Sequence, residues 1–343
     1  MTLRDVFESG LRMAQASATV MRFLPGSGAL ADWKELDNKL EAFRLFQYPE
    51  KEVGDALRDG AVRMALRLPD FRGIWVLEGI AYERATRSAE PSAAVLPDRT
   101  GVSTHAGIGT ALAEKALQGL GKTAGPREFA GMIEEYAAAA RARSRPDWEP
   151  AALEPLGLVV RGLYPEWLRA ISDAMPEAEM KSLYWHGAGR SAYFAPSGFI
   201  PLPGAHGRML ASAREDAPDE NSRLNMLAGL VWAAVLVNLP RPEVAASFAS
   251  ACEEMKLGAA FRNGLTSALM AWRHMAPLDA TLLRPYTSVE PPSGCSRALW
   301  KSMVMEPSVW ALNEIYPTIE RAGRIGHLFR YRTPVELQEL GRA

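Results

Sequence analysis

The sequence predicts an all-α protein, built of two helical halves packed as one compact unit. Three observations carry this expectation. Apolar residues recur at spacings of three and four, the period of about 3.6 residues that marks an amphipathic helix, through nearly every ordered stretch. Runs with the strict alternation of a half-buried strand are few. Glycine followed by a small residue also recurs in the middle of apolar helical stretches, at Gly60, Gly79, Gly107, Gly187, Gly229 and Gly264.

In chain order, "LADWKELDNKLEAFRLF" (30–46) spaces Leu30, Trp33, Leu36, Leu40, Phe43 and Phe46 along one helical face. Asp32 and Glu35 stand at capping-box spacing at its start. "GDALRDGAVRMALRL" (54–68) repeats the period with Leu57, Ala61, Met64 and Leu68, and "REFAGMIEEYAAAARARSR" (127–145) is an alanine-rich helix with an exposed arginine face. "MLAGLVWAAVLV" (226–237) is the most apolar run, stopped by Asn238 and Pro240. It is too short to cross a bilayer, which needs about twenty residues, so a helix buried on all sides is expected.

Glycine and proline punctuate the chain at 88–101, 143–155, 194–208 and 288–294. The second of these divides the chain into an N-terminal half (1–145), a Pro-rich connection (146–155) and a C-terminal half (156–343). The glycine-bearing segments echo one another without a fixed period, as duplicated helical hairpins would after drifting apart.

Composition narrows the function. Of 343 residues, 48% are apolar and 23% charged, and 39 Lys+Arg against 40 Asp+Glu leave a net charge of -1. That balance offers nothing to draw nucleic acid. Cys252 and Cys295 can form no disulfide framework, and the N-terminal stretch carries Asp5 and Glu8 without an apolar core, so a cytoplasmic, not membrane-spanning protein is expected.

Glycine inside a helix costs about 1 kcal/mol relative to alanine, and "YWHGAGRSAYF" (184–194) accepts that twice, at Gly187 and Gly189. Small residues on one stripe let helix backbones approach closely. A polar residue nevertheless stands just before or near several of these glycines: Asp59, Glu78, His105, His186 and Asn263. Arg190 lies four residues after His186 on the same face and, if buried, needs a carboxylate or an anionic ligand. Glu78 is the first choice of partner. Two weakening glycines beside an arginine tip the balance toward a face that admits a ligand. Trp75, Tyr82, Tyr184, Trp185, Tyr193, Phe194, Trp232 and Trp272 would wall such a pocket.

Several blocks resemble one family in residues and in order. "EVGDALRDGAVRMAL" (52–66), "DFRGIWVLEGIAYERA" (70–85), "HAGIGTALA" (105–113), "YWHGAGRSAYF" and "FRNGLTSALMAWRH" (261–274) look like blocks of the domain-of-unknown-function family encoded beside enediyne polyketide synthases and other bacterial natural-product clusters. The resemblance covers roughly residues 40–275. It implies a role in specialised metabolism and implies no particular reaction.

Other motifs point elsewhere. "GLGKTAG" (119–125) has Ala116 where a phosphate-binding loop needs glycine and follows a helix rather than a strand, so a helix C-cap at Gly119 or Gly121 is expected. "REDAPDENSR" (214–223) gathers Asp216, Asp219 and Glu220, which in an isoprenoid enzyme would hold magnesium against a diphosphate. Asn263 and Ser267 keep part of a second metal motif, Ala271 stands where that motif needs an acid, and Arg330–Tyr331 follow. The same acids are ordinary chemistry for a helix start, with Asp219 or Asn221 capping. No two of the five histidines pair at metal-ligand spacing, and His206 and His327 read as surface residues.

The leading expectation is a cytoplasmic protein that binds, and could cyclise or fold, a long apolar or polyene intermediate between the halves. Glu78, His105, His186, Arg190 and Asn263 are its candidate catalytic residues, with no cofactor. The alternative is a terpene-cyclase-type enzyme acting on a prenyl diphosphate through Mg2+ at Asp216, Asp219 and Glu220. A third reading is a helical scaffold docking on a biosynthetic synthase.

Overall fold

The computed structural model describes residues 12, 30–47, 73–88, 100–195, 204–277 and 280–342. The helix expected over 54–68, with Asp59 and Gly60, lies outside them. The described residues are all-α, with no strand among them.

Twelve of the helices position the interior: α1 (Leu30–Phe46), α2 (Gly73–Arg87), α3 (Gly101–Gln118), α4 (Pro126–Arg143), α5 (Glu149–Leu153), α6 (Pro155–Leu163), α7 (Leu168–Ala174), α8 (Ala178–Tyr193), α9 (Ala205–Asp216), α10 (Glu220–Val237), α11 (Pro242–Glu254) and α12 (Gly258–Met275). Asp32 lies within α1 rather than in front of it. At the start of α4, Pro126 occupies the first turn and the Glu128 carboxylate accepts the Gly125 N–H at 3.1 Å. Gly119 caps the end of α3, as expected for "GLGKTAG". The Gly/Pro-rich stretch 194–208 reads as an extended loop, but its last residues turn at Gly204, whose φ of 74° suits glycine, and enter α9.

The 146–155 stretch is helical. Its three prolines each stand in the first turn of an element, where a missing N–H costs nothing, so they start the turn at Pro146–Trp148, α5 and α6 in succession. Ala151, Ala152, Leu153 and Glu154 are buried.

Neighbouring helices pack in a series: α2 on α3, α3 on α6, α6 on α8, α8 on α10 and α10 on α12, with α12 touching α3 again. One contiguous apolar core, from Ala42 to Leu337, runs through both halves. In α10 every residue from Met226 to Val237 is buried, as its unbroken apolar run requires. After α12 the chain forms a helical run over 297–321, in which two π-helical segments, Lys301–Met305 and Ala311–Ile315, precede Pro307 and Pro317. Widened turns there release the hydrogen bonds that a proline inside a helix could not make. The tail then crosses back over the core. Phe329 packs on Trp232, the Tyr331 N–H donates to Asn225 Oδ1 at 2.7 Å, and the Arg332 carbonyl accepts Asn263 Nδ2 at 2.8 Å. No helix among the described residues is long and apolar enough to cross a membrane.

Candidate functional site

Among the described residues, the recurrent glycines are seats for helix backbones. A Cβ on Gly187 would stand 2.1 Å from the Glu154 carbonyl oxygen, and one on Gly157 would stand 1.7 Å from that of Tyr184, so α6 and α8 notch into each other. Gly189 and Gly229 do the same between α8 and α10, at 1.9 Å from the carbonyl oxygens of Met226 and His186. Gly107 rests on the Glu78 carbonyl at 2.2 Å. This corrects the expectation that Gly187 and Gly189 admit a ligand: both faces are filled by neighbouring backbone.

Those close approaches bring polar side chains together. Gly187 brings the Glu154 segment against α8, and the Glu154 carboxylate reaches two side chains of that helix. Its Oε1 lies 2.8 Å from His186 Nδ1, and its Oε2 accepts Arg190 Nη1 at 2.8 Å. Arg190 Nη2 donates to Glu78 Oε1 at 3.2 Å, the partner expected from the sequence. His186 and Glu154 are wholly buried, and Arg190 and Glu78 nearly so. Glu78 comes from the N-terminal half, His186 and Arg190 from the C-terminal half, and Glu154 from the stretch between them. The guanidinium also lies over Trp232, 4.9 Å from the ring centroid.

Two carboxylates and one arginine leave this cluster one negative charge in excess unless it holds a further proton. Burial raises the Glu78 carboxyl above its ordinary range; Arg190 opposes the rise and Glu154 adds to it. Since a carboxylate only accepts, His186 Nδ1 carries the hydrogen facing Glu154. Its Nε2 is buried and has no hydrogen-bond partner, as is true of Arg190 Nε. Trp232 and Phe329 stand edge-on to the imidazole, both at 6.2 Å between centroids.

Glu154 escapes sequence reasoning. It sits between Pro150 and Pro155, in a stretch that reads as a connector, and an acid just before a helix-starting proline looks like an N-terminal residue facing solvent. The usable signal was its place directly before the apolar run of α6, "PLGLVV".

His105 and Asn263 are engaged elsewhere. His105 Nδ1 donates to the Gly101 carbonyl at 2.7 Å, and its Nε2 accepts the Arg145 N–H at 3.2 Å, while the ring stacks on Trp148. Burial pushes the His105 imidazole down to about 4, which keeps it neutral with both nitrogens occupied. Asn263 holds the C-terminal tail through Arg332, and its Oδ1 and Ser267 Oγ are buried without partners.

The three acids of the magnesium alternative have separate local partners. Asp216 pairs with Arg161 at 2.9 Å, Glu220 with Arg223, and Asp219 caps α10 by accepting the Ser222 N–H at 2.9 Å. Among the described residues, no three His, Cys, Asp or Glu side chains are grouped so as to hold a metal ion. Arg330 pairs with Glu179 at 3.4 Å. Asp219→Ala is expected to lower stability by about 1 kcal/mol, the worth of an N-cap, in urea unfolding with or without magnesium. A loss seen only when magnesium is present would instead mark Asp219 as a ligand.

His206 and His327 are not surface residues: His327 is half-buried, and His206 is almost fully covered. Both cysteines are free thiols. Comparison with known protein families, curated proteins and solved structures finds no match to this chain.

Proposed function

We propose that this is a cytoplasmic protein of bacterial specialised metabolism that binds a long apolar or polyene intermediate where its two halves meet, with the Glu78–Arg190–Glu154–His186 cluster as the polar element of the site. The observation that carries the reading is His186. Glu154 fixes the ring through Nδ1, and Nε2 is left buried and unpartnered beside Trp232 and Phe329. A buried polar atom without a partner costs roughly 1–3 kcal/mol, which a ligand's polar group would offset.

The cluster also has parts for cyclisation. A carbocation formed in the bound ligand would be favoured by the neighbouring rings of Trp232 and Phe329, and the buried carboxylates could take up the proton that its quenching releases. The setting in specialised metabolism rests on the ordered blocks over residues 40–275.

Titration with cis-parinaric acid, a fluorescent conjugated tetraene, tests the reading. Saturable binding is expected. His186→Asn keeps an amide nitrogen where Nδ1 meets Glu154 and deletes Nε2, so it should weaken binding about tenfold, the equivalent of about 1.4 kcal/mol. Absence of saturable binding, or equal binding by wild type and His186→Asn, would remove the cluster from the site.

A further inference from the structure

A second buried polar set lies away from this cluster, on α1, α9 and α11. Glu35 Oε2 stands 2.8 Å from His206 Nε2, and His206 Nδ1 stands 2.7 Å from Ser247 Oγ. The carboxylate can only accept, so Nε2 carries the hydrogen, and in the neutral ring Nδ1 is then the lone pair facing the serine hydroxyl. The other oxygen of Glu35 is fully engaged: Tyr193 OH donates to it at 2.7 Å and Lys39 Nζ approaches to 3.2 Å. The Tyr193 oxygen in turn accepts Asn238 Nδ2 at 2.6 Å. Phe248 stacks on the imidazole at 4.0 Å between centroids and fixes its plane. Glu35 and His206 are shielded, whereas Ser247 is exposed.

We propose that Ser247, His206 and Glu35 form a nucleophile, general base and orienting acid for acyl transfer from activated carboxylic esters. The roles follow from the chain of hydrogen bonds, which meets the geometric requirement for such a group: a base within reach of the nucleophile and a third residue holding the base. Burial alone would raise the Glu35 carboxyl, but Lys39 and His206 hold it well below the usual carboxylate range, so it stays an acceptor for Nε2–H.

In the first step Ser247 Oγ bonds to the ester carbonyl carbon while its proton passes to His206 Nδ1. The carbon–oxygen bond to the leaving group then breaks, and that oxygen takes the proton. In the second step water attacks the acyl-serine, gives its proton to Nδ1, and Ser247 Oγ recovers it on leaving. Ser247 lies within α11, where the backbone N–H groups around it serve the helix, so the oxyanion is met by solvent. The site therefore suits esters with good leaving groups rather than amides.

The test is incubation with p-nitrophenyl acetate followed by peptide mass spectrometry. An acetyl group on Ser247, with Ser293, which is also exposed, unmodified, is the expected result. Ser247→Ala should abolish the burst of p-nitrophenolate, and His206→Asn should slow acylation at least about a hundredfold, the low end of general-base contributions. The reading is overturned by no acetyl group on Ser247, by equal modification of Ser293, or by acylation that is undiminished in His206→Asn. Labelling of Ser247 in the wild-type protein decides the matter even if the His206 variant folds poorly.

Discussion

Arg190→Met is expected to destabilise the protein by about 3–5 kcal/mol at neutral pH, measured by urea unfolding. Methionine keeps much of the length of the side chain and its contact with Trp232. What it removes is the only arginine of the cluster, leaving the Glu78 and Glu154 carboxylates buried and facing each other across the vacated charge. The cost of stranding those charges is large because burial denies them water. Replacing all three ionic partners together, as Arg190→Met with Glu78→Gln and Glu154→Gln, should restore part of the stability, since no buried charge is left unpaired and only the amides' lost hydrogen bonds remain as a cost. A triple variant as unstable as the single one would show that the loss came from packing.

The pH dependence carries its own sign. Glu78 binds its proton more tightly folded than unfolded, so its contribution to stability is full below the ordinary carboxylate range. It is lost as pH rises through the raised value. Glu78→Gln should flatten that part of the profile while retaining an oxygen to accept Arg190 Nη2.

Much of the fold was legible because helical periodicity depends only on local spacing, and the glycine positions depend on pairs of helices that the chain places next to each other. Glu78 as the partner of Arg190 was legible for the same reason: a buried arginine demands an acid, and few acids stand on glycine-bearing faces. Glu154 was hidden because proline in a sequence reads as a break, whereas Pro150 and Pro155 here begin helices. The Glu35–His206–Ser247 chain was hidden because its members lie on three helices far apart in sequence, and nothing about "GAHGR" or "AASFAS" marks them as neighbours. The meaning of Gly187 and Gly189 was open for a physical reason too. A missing Cβ makes the same space for a ligand or for a carbonyl, and only the partner helix decides which.

That choice leads to the second large effect, at Gly229. Gly229→Ala would gain about 1 kcal/mol of helix propensity if nothing stood in the way. Its Cβ would lie 1.9 Å from the His186 carbonyl oxygen, inside any real contact distance, and the obstacle is backbone that no rotamer can relieve. α8 and α10 must part, and strain from overfilling a core costs typically about 1–3 kcal/mol and sometimes more. We expect a net loss of about 3 kcal/mol or more, because parting these helices also draws His186 and Arg190 away from Glu154. Gly131→Ala supplies the contrast. Gly131 lies within α4, is exposed, and has nothing within 4 Å of the position its Cβ would take, so alanine there should raise stability by up to about 1 kcal/mol. Urea unfolding of the two variants beside the wild type reads both effects. If Gly229→Ala proved as stable as Gly131→Ala, the notch between α8 and α10 would not be closed in solution, and the face of "YWHGAGRSAYF" would again be open to a ligand.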